Sequence, residues 1–403
     1  MKILATWDQP DQGELVQQYL GLGDHDLHWA NTPGELLELA AGEEWQVVML
    51  PISLPDVNQG FEVFSRIRRL LPETPIVGIC DPQEVFRIVR FMTNGMSAYM
   101  IRDANGDYLF MMLNVLESVV EAAQAAREQR LFERLREEVD AVRKLQESMI
   151  PQHIEAPEGY QMCARYEPSQ LRIAGGKPVT MAGGDYYDVF RLDNNNVVLL
   201  VGDASGHGMK AAISIMVMHT LVRMIRTQQY RDTAAFVTAI NNQLVQQTIV
   251  SEEGGFITLL YAILMLDRNE IQWTSAGHPL PIFQDLSTGE VRPIIDTDPS
   301  GLPLAVMQDA EYETVISPVP ENSRVLLYTD GLAEAFPEAK AGTVEQFGEK
   351  RIQRTLRECA ECSVEETMHR LFQASLDFTE GSGRHDDTSM VLLQRLKRRE
   401  IDR

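Results

Sequence analysis

The sequence predicts a multidomain protein: a doubly wound α/β domain over residues 1–108, a helical coiled-coil linker over 109–150, an α+β domain over 151–397, and a short tail at 398–403. Three observations carry this reading. Short apolar runs alternate with amphipathic stretches through the first part, residues 109–150 contain neither glycine nor proline, and many short strand patterns follow Pro151. At 403 residues the chain is too long for one ordinary domain.

In the first part the apolar runs are KILAT, DLHWA, WQVVML, TPIVGI and SAYMI, with helix-like segments near 11–21, 33–43, 59–71 and 83–94. Strands at that spacing, with helices between them, argue a parallel sheet covered on both faces. In the second part Leu131, Leu135, Val142, Leu145 and Met149 recur at spacings of three, four or seven among charged residues. A helix of about 40 residues reaches roughly 60 Å, beyond a usual globular helix. A parallel dimeric coiled coil explains it, with a homodimer as the expected state, although Glu138 interrupts the seam. A single helix packed along its own domains is the alternative.

In the third part the strand patterns are 160–167, 185–192, 196–203, 256–266, 270–276, 280–284, 311–317, 323–329 and 387–396, and the helical ones are 208–227, 232–249, 348–358 and 364–379. Asp and Asn in RLDNNNVVLL and Gly289 in LSTGEV punctuate hairpins. Locally paired strands with helices inserted in pairs suggest two antiparallel sheets flanked by helices.

Composition excludes more than it suggests. Asp and Glu number 59 against 36 Lys and Arg, a formal charge of -23, which argues against nucleic acid or an anionic membrane as partner. No stretch approaches the roughly 18 uncharged apolar residues of a membrane span. The opening MKILATWDQP reads as a strand and turn rather than a signal peptide. Four cysteines make no disulfide framework and fit a reducing cytoplasm. Cys359 and Cys362 form a CxxC inside a helical pattern, with no second pair, and read as two helix cysteines.

Four aspartates stand where apolar strands begin or end: Asp185 in AGGDYYDVF, Asp203 in VGDASGHGMKAA, Asp330 in LLYTDG and Asp386 in HDDTSMVLL. Each alone is equally a turn or cap residue. Gathered at one end of packed sheets they would repel one another and raise one another's pKa, which cations relieve. An all-oxygen set suits Mg²⁺ or Mn²⁺ rather than zinc, and the glycines after Asp203 let the backbone turn the Ala204 carbonyl toward an ion.

The blocks GGDYYDVF, VGDASGHGMKAA, SAGHPLP, LLYTDGLAEA and HDDTSMVLL, in this order and behind the lead-in LQESMIP, resemble bacterial PPM-type serine/threonine phosphatases of the SpoIIE/RsbU kind over about residues 145–397. The resemblance implies an αββα sandwich with two Mn²⁺ or Mg²⁺ ions at one end. It implies that Asp203 bridges them, that the Ala204 carbonyl meets one, that Asp330 and Asp386 hold the other, and that Asp185 sits beside the site. It leaves Asp188 and Asp387 open between direct and supporting roles, and makes His207 and His278 structural or supportive. The implied substrate is a phosphoserine or phosphothreonine on a STAS-type anti-sigma-factor antagonist in a partner-switching pathway. LRIAGGKPVTMAGGDYYDVF is longer than the usual approach to the first motif, with Gly175 and Gly176 suggesting an extra loop.

Residues 1–108 resemble a response-regulator receiver domain with its chemistry removed. The acidic pair after the first strand is matched by Trp7 and Asp8, the phospho-accepting aspartate by Pro51, and the lysine after the fifth strand by Arg102. Proline has no carboxylate to phosphorylate, which makes this a pseudo-receiver; a shift of the phosphosite to Asp56 is the alternative. A second functional class stands beside the enzyme: an adaptor that uses the phosphatase fold for binding.

Overall fold

The computed structural model describes residues 1–397 except 22, 24, 57, 104, 105, 152, 172–178, 181, 182, 207, 227–229, 248, 249, 251–253 and 338–344. Gly175, Gly176, His207 and the tail at 398–403 therefore lie outside the described residues. The chain divides into two compact units, Met1–Leu135 and Arg136–Arg403.

In the first unit, β1 (Lys2–Thr6), β2 (Asp26–Ala30), β3 (Val47–Pro51), β4 (Ile76–Cys80) and β5 (Ala98–Ile101) pair in parallel in the order β2-β1-β3-β4-β5. This is the flavodoxin-like order of doubly wound sheets. Alternate residues feed two cores. Leu4, Val48 and Leu50 pack with Leu36, Phe64 and Phe91, while Ile3, Val47 and Met49 pack with Val16, Leu20 and Met112. Burial on both faces is why these strands read as continuous apolar runs. The helical pattern at 83–94 divides into a 3₁₀ segment Pro82–Arg87 and a helix Ile88–Thr93, the first opened by a capping box between Asp81 and Glu84.

Pro51 closes β3 in full burial. Around it the charges are already paired. Arg102, 5% exposed, donates to both oxygens of Asp8 (2.6 and 2.9 Å) and both oxygens of Asp81 (2.5 and 2.9 Å). Asp56 is exposed and accepts from the Asn58 and Gln59 backbone N–H groups and the Gln59 side chain, so it serves the turn entering helix Gly60–Leu70.

A helix of 40 residues runs Tyr108–Glu147. By length and composition alone it could cross a membrane. Tyr108, Met112, Leu116 and Val120 lie in the first unit's core, whereas Phe110 and Met111 of the same stretch are exposed. Leu131, Phe132, Leu135 and Leu145 are exposed further along.

The second unit contains two antiparallel five-stranded sheets. One is ordered β15-β12-β11-β10-β9 and the other β14-β13-β16-β17-β6. Their members are β6 (Tyr160–Glu167), β9 (Asp185–Arg191), β10 (Asn196–Ala204), β11 (Ile257–Met265), β12 (Glu270–Ala276), β13 (Ile282–Asp285), β14 (Val291–Pro293), β15 (Val315–Pro318), β16 (Ser323–Tyr328) and β17 (Thr388–Arg395); the small pair β7 (Gln170–Leu171) and β8 (Val179–Thr180) stands apart. Val197, Leu199 and Val201 of β10 face Val325 and Leu327 of β16 and Val391 and Leu393 of β17 across a dry core around Trp273. Val198 and Leu200 point the other way, into helices Met209–Ile225 and Thr233–Leu244. Leu326, Met390 and Leu392 likewise meet helices Gly348–Glu358 and Val364–Phe378. The unit is an αββα sandwich.

The sequence missed β14, and β7–β8 occupies the extended approach to the first motif. The CxxC is structural: buried Arg324 donates to the backbone carbonyls of Cys359 and Cys362 at the end of helix Gly348–Glu358, and both thiols are free.

Removing the charge between Asp8 and Asp81 leaves two acids facing each other in a partly buried site. Arg102→Ala is expected to cost the first unit about 3 kcal/mol, with Arg102→Lys recovering only part because an ammonium cannot fork onto both carboxylates. Calorimetric unfolding of the whole chain measures this, and an unshifted transition would contradict it.

Candidate functional site

The alternation that builds the inter-sheet core also delivers acids to its end. On β10 the inward series Val197, Leu199, Val201 continues to Asp203, and on β9 the inward residues Tyr187 and Val189 lead back to Asp185. The two aspartates are direct partners in the β9–β10 register. In the facing sheet Thr329 and Asp330 follow β16, and Asp386 and Asp387 precede β17, at the matching end of the β16–β17 pair.

The two sheets touch through these residues. Thr329 Oγ1 donates to Asp185 Oδ2 at 2.7 Å and accepts from the Ser389 backbone N–H at 2.8 Å. Asp387 Oδ1 accepts from the Ser169 N–H at 2.7 Å, and its Oδ2 accepts from the Gly184 N–H at 2.5 Å. Asp386 Oδ1 accepts from the backbone N–H of its neighbour, at 2.8 Å. Asp330 Oδ1 is buried with no partner among the described residues.

Gly184 marks the space these oxygens face. A Cβ there would lie 2.7 Å from the Ala204 carbonyl oxygen, 2.9 Å from Asp203 Oδ1 and 3.3 Å from the Gly206 carbonyl oxygen. Beyond Asp203 the chain turns through Gly206 and Gly208, both at positive φ (82° and 85°), before helix Met209–Ile225 begins.

The electrostatics follow from this crowding. Burial, then the charges of Asp203, Asp387 and Asp386, holds the Asp185 carboxyl well above the usual carboxylate range. Burial, with Asp330, Asp386 and Asp387, pushes Asp203 up to about 8. Burial raises Asp386 to about 7, with Asp387 and Asp330 adding to it. Asp330 is raised by burial and by Glu334. For Asp387 burial outweighs the N–H donors. Thus Asp185, Asp203, Asp330 and Asp386 do share one end of the sandwich, with Asp387 among them. Among the described residues, however, no three His, Cys, Asp or Glu side chains are gathered closely enough to form a ready-made metal cage.

The donor set nonetheless fits a hard divalent ion: carboxylates and main-chain carbonyls around a glycine-cleared space, and one carboxylate oxygen buried without a donor among the described residues. Asp185, Asp203, Asp330, Asp386 and the Ala204 carbonyl are the groups that could hold it.

Asp188 stands elsewhere. It occupies the opposite face of β9, accepts from Tyr186 Oη at 3.0 Å, and lies 3.7 Å from Arg223 under helix Met209–Ile225. It holds helix to sheet. His278 is buried, with Nδ1 2.9 Å from Thr258 Oγ1, and burial pushes its pKa down to about 3, so the ring is neutral. Sequence reasoning missed Thr329 and Gln146. Thr329 sits in LLYTDG at an inward phase, one place before the acid, which was the available signal. Gln146 stands in the lead-in LQESMIP, which was the available signal, although a polar residue in a heptad gap gives no sign of burial.

The family model for stage II sporulation protein E (SpoIIE) matches residues 193–396. Protein IcfG of Synechocystis sp. is 23% identical over 283 residues, 64% of this chain and 41% of that protein. Phosphoserine phosphatase RsbU of Bacillus subtilis is 24% identical over 219 residues, 54% of this chain and 61% of that one. The chain thus spans less than two thirds of either relative. The SiaA-PP2C domain of Pseudomonas aeruginosa superposes with a TM-score of 0.53 at 18% identity, covering 68% of this chain and 100% of that structure, a likeness of fold.

The hydrogen bonds separate two kinds of acid. In metal-free protein, Asp387→Ala strands two buried N–H donors and should destabilise the second unit by about 3 kcal/mol. Asp330→Ala removes a crowded carboxylate with one oxygen lacking a donor among the described residues, and should cost clearly less stability than Asp387→Ala. Denaturant unfolding in chelator compares them; equal losses would contradict the assignment.

Proposed function

Because the chain belongs to the stage II sporulation protein E (SpoIIE) family, we propose that it is a metal-dependent protein serine/threonine phosphatase. The observation that carries the reading is the meeting of buried, mutually repelling carboxylates from two sheets at one end of the sandwich. In this proposal Asp185, Asp203, Asp330, Asp386 and the Ala204 carbonyl would hold two Mn²⁺ or Mg²⁺ ions. Such ions supply a water nucleophile ionised near neutral pH and positive charge for the phosphoryl oxygens.

The chain's own residues hold this arrangement in place. Thr329 fixes the Asp185 carboxylate from the opposite sheet. Asp387 pins the Gly184 and Ser169 backbone and so sets the wall of the site. Inward apolar residues of β10 and β16 close it from behind. No side chain need form a bond to phosphorus, and buried Cys359, with its thiol raised to about 11 by burial, is no candidate nucleophile.

The proposed substrate is a phosphoserine or phosphothreonine on a STAS-type anti-sigma-factor antagonist, in the cytoplasm. The exposed Leu131, Leu135 and Leu145 support pairing of two chains through the 109–150 helix. The doubly wound strand order and the Arg102 pairing support a pseudo-receiver at 1–108 that docks a partner rather than accepts phosphate. Pro51, Asp8 and Arg102 belong to that module. A purely adaptor role is the second reading, favoured by the lack of a ready-made metal cage among the described residues.

Full-length protein with Mn²⁺ should release phosphate from a phosphorylated STAS protein encoded in the same genome. Asp203→Asn should lower turnover by two or more orders of magnitude with folding retained. Folded, Mn²⁺-loaded protein that releases nothing from any such substrate would leave the adaptor.

A further inference from the structure

The CxxC between two helices holds a turn in place, and its two sulfurs are not used by the phosphatase reading. Cys359 follows helix Gly348–Glu358 and is fully buried. Cys362 is half-buried and stands just before Ser363, the N-cap of helix Val364–Phe378. Between them the chain makes a tight turn in which the Cys362 N–H donates to the Cys359 carbonyl at 3.0 Å. Such a turn keeps its outer Cα atoms within about 7 Å, and a disulfide spans about 4.4–6.8 Å. The side chains already meet, since both thiols are free and Cys359 is hydrogen-bonded to Cys362.

The surroundings of the two sulfurs differ. Burial holds the Cys359 thiol above its ordinary pKa, so it keeps its proton at neutral pH. Cys362 is the more accessible member, at a helix N-terminus where the peptide dipoles present positive charge. Arg324 supports the turn from beneath, donating to the Cys359 carbonyl at 2.8 Å and to the Cys362 carbonyl. Among the described residues, the other partners of this buried guanidinium are the neutral side chains of Thr367 (3.2 Å) and Gln394 (2.7 Å). The groups that favour its charge are Cys359 and Cys362. Arg370, on the following helix, acts on the same two sulfurs. A partly accessible sulfur in an electropositive setting, beside a protonated thiol, is the arrangement of a reactive cysteine and its resolving partner.

We propose that Cys359 and Cys362 are a modification site, which a hydroperoxide converts into a reversible disulfide. The proposal is independent of the cation-site reading. Cys362, as thiolate, attacks a peroxide oxygen; the O–O bond breaks, and the departing alkoxide or hydroxide takes up the proton that Cys362 lost. The Cys359 sulfur then attacks the resulting sulfenic acid. The S–S bond forms, the S–O bond breaks, and the hydroxyl leaves as water with the Cys359 proton. Two thiols are thereby oxidised by two electrons, and the hydroperoxide is reduced to an alcohol (or water) and water. A dithiol reverses the step by exchange. In a reducing compartment such a disulfide is transient, as redox-sensing pairs there are.

Reduced full-length protein treated with hydrogen peroxide tests this, with the remaining thiols alkylated and masses read without reduction. The expected result is a Cys359–Cys362 link within one chain, with both thiols restored by dithiothreitol and buried Cys80 still a thiol. In Cys359→Ala the resolving thiol is gone, and Cys362 should take up dimedone, a sulfenic-acid trap, at least about tenfold more than in the parent. Should that variant fail to fold, Cys359→Ser carries the same expectation. Parent protein that forms no such link, or that links two chains instead, overturns the proposal. Equal dimedone uptake in parent and variant overturns it too.

Discussion

Repulsion among buried carboxylates is the constraint around which the second unit is organised. Asp185 and Asp203 come from one sheet, Asp330, Asp386 and Asp387 from the other, and each raises the cost of ionising its neighbours. A fold optimised for stability alone would place apolar residues there, as it does along the rest of the inter-sheet seam. The sandwich holds the acids together through a large core, in which Val197, Leu199 and Val201 are buried with Val325, Leu327, Val391 and Leu393 of the facing sheet.

Not every acid in the cluster has the same standing. Asp387 spends both oxygens on backbone N–H groups and holds the glycine turn, whereas Asp330 leaves an oxygen buried and unpaired. Thr329 ties the two sheets at their most crowded point. The first unit shows the contrasting solution. There the acidic residues of a comparable strand-end pocket have a cation of their own, because Arg102 forks onto Asp8 and Asp81 and leaves the trio with one net negative charge. The unit that keeps its acids unpaired is the one read as catalytic.

Much of this was legible in the chain itself. Alternation along NVVLLVGDA places Asp203 on the inward face, and the parallel-sheet runs of the first unit are apolar throughout because both faces are covered. Asp188 was harder to place: lying between inward Tyr187 and Val189, it belongs by phase to the helix side, and nearness to Asp185 in sequence disguised that. β14 is only three residues long and carries too little pattern to detect. Gln146 lies in the lead-in LQESMIP, but its burial depends on where a long helix ends against a distant glycine pair, which no local periodicity encodes. Arg324 was likewise silent; its burial is explained by the Cys359 and Cys362 carbonyls together with the Gln394 and Thr367 side chains, all far along the chain.

The central claim is that the acids of two sheets make one cation site. Anomalous diffraction at the manganese edge from crystals of the protein grown with Mn²⁺ tests it most directly. The account predicts two peaks about 4 Å apart, with Asp203 touching both and Asp330 and Asp386 on one. Peaks located away from these residues, or none at saturating Mn²⁺, would contradict it.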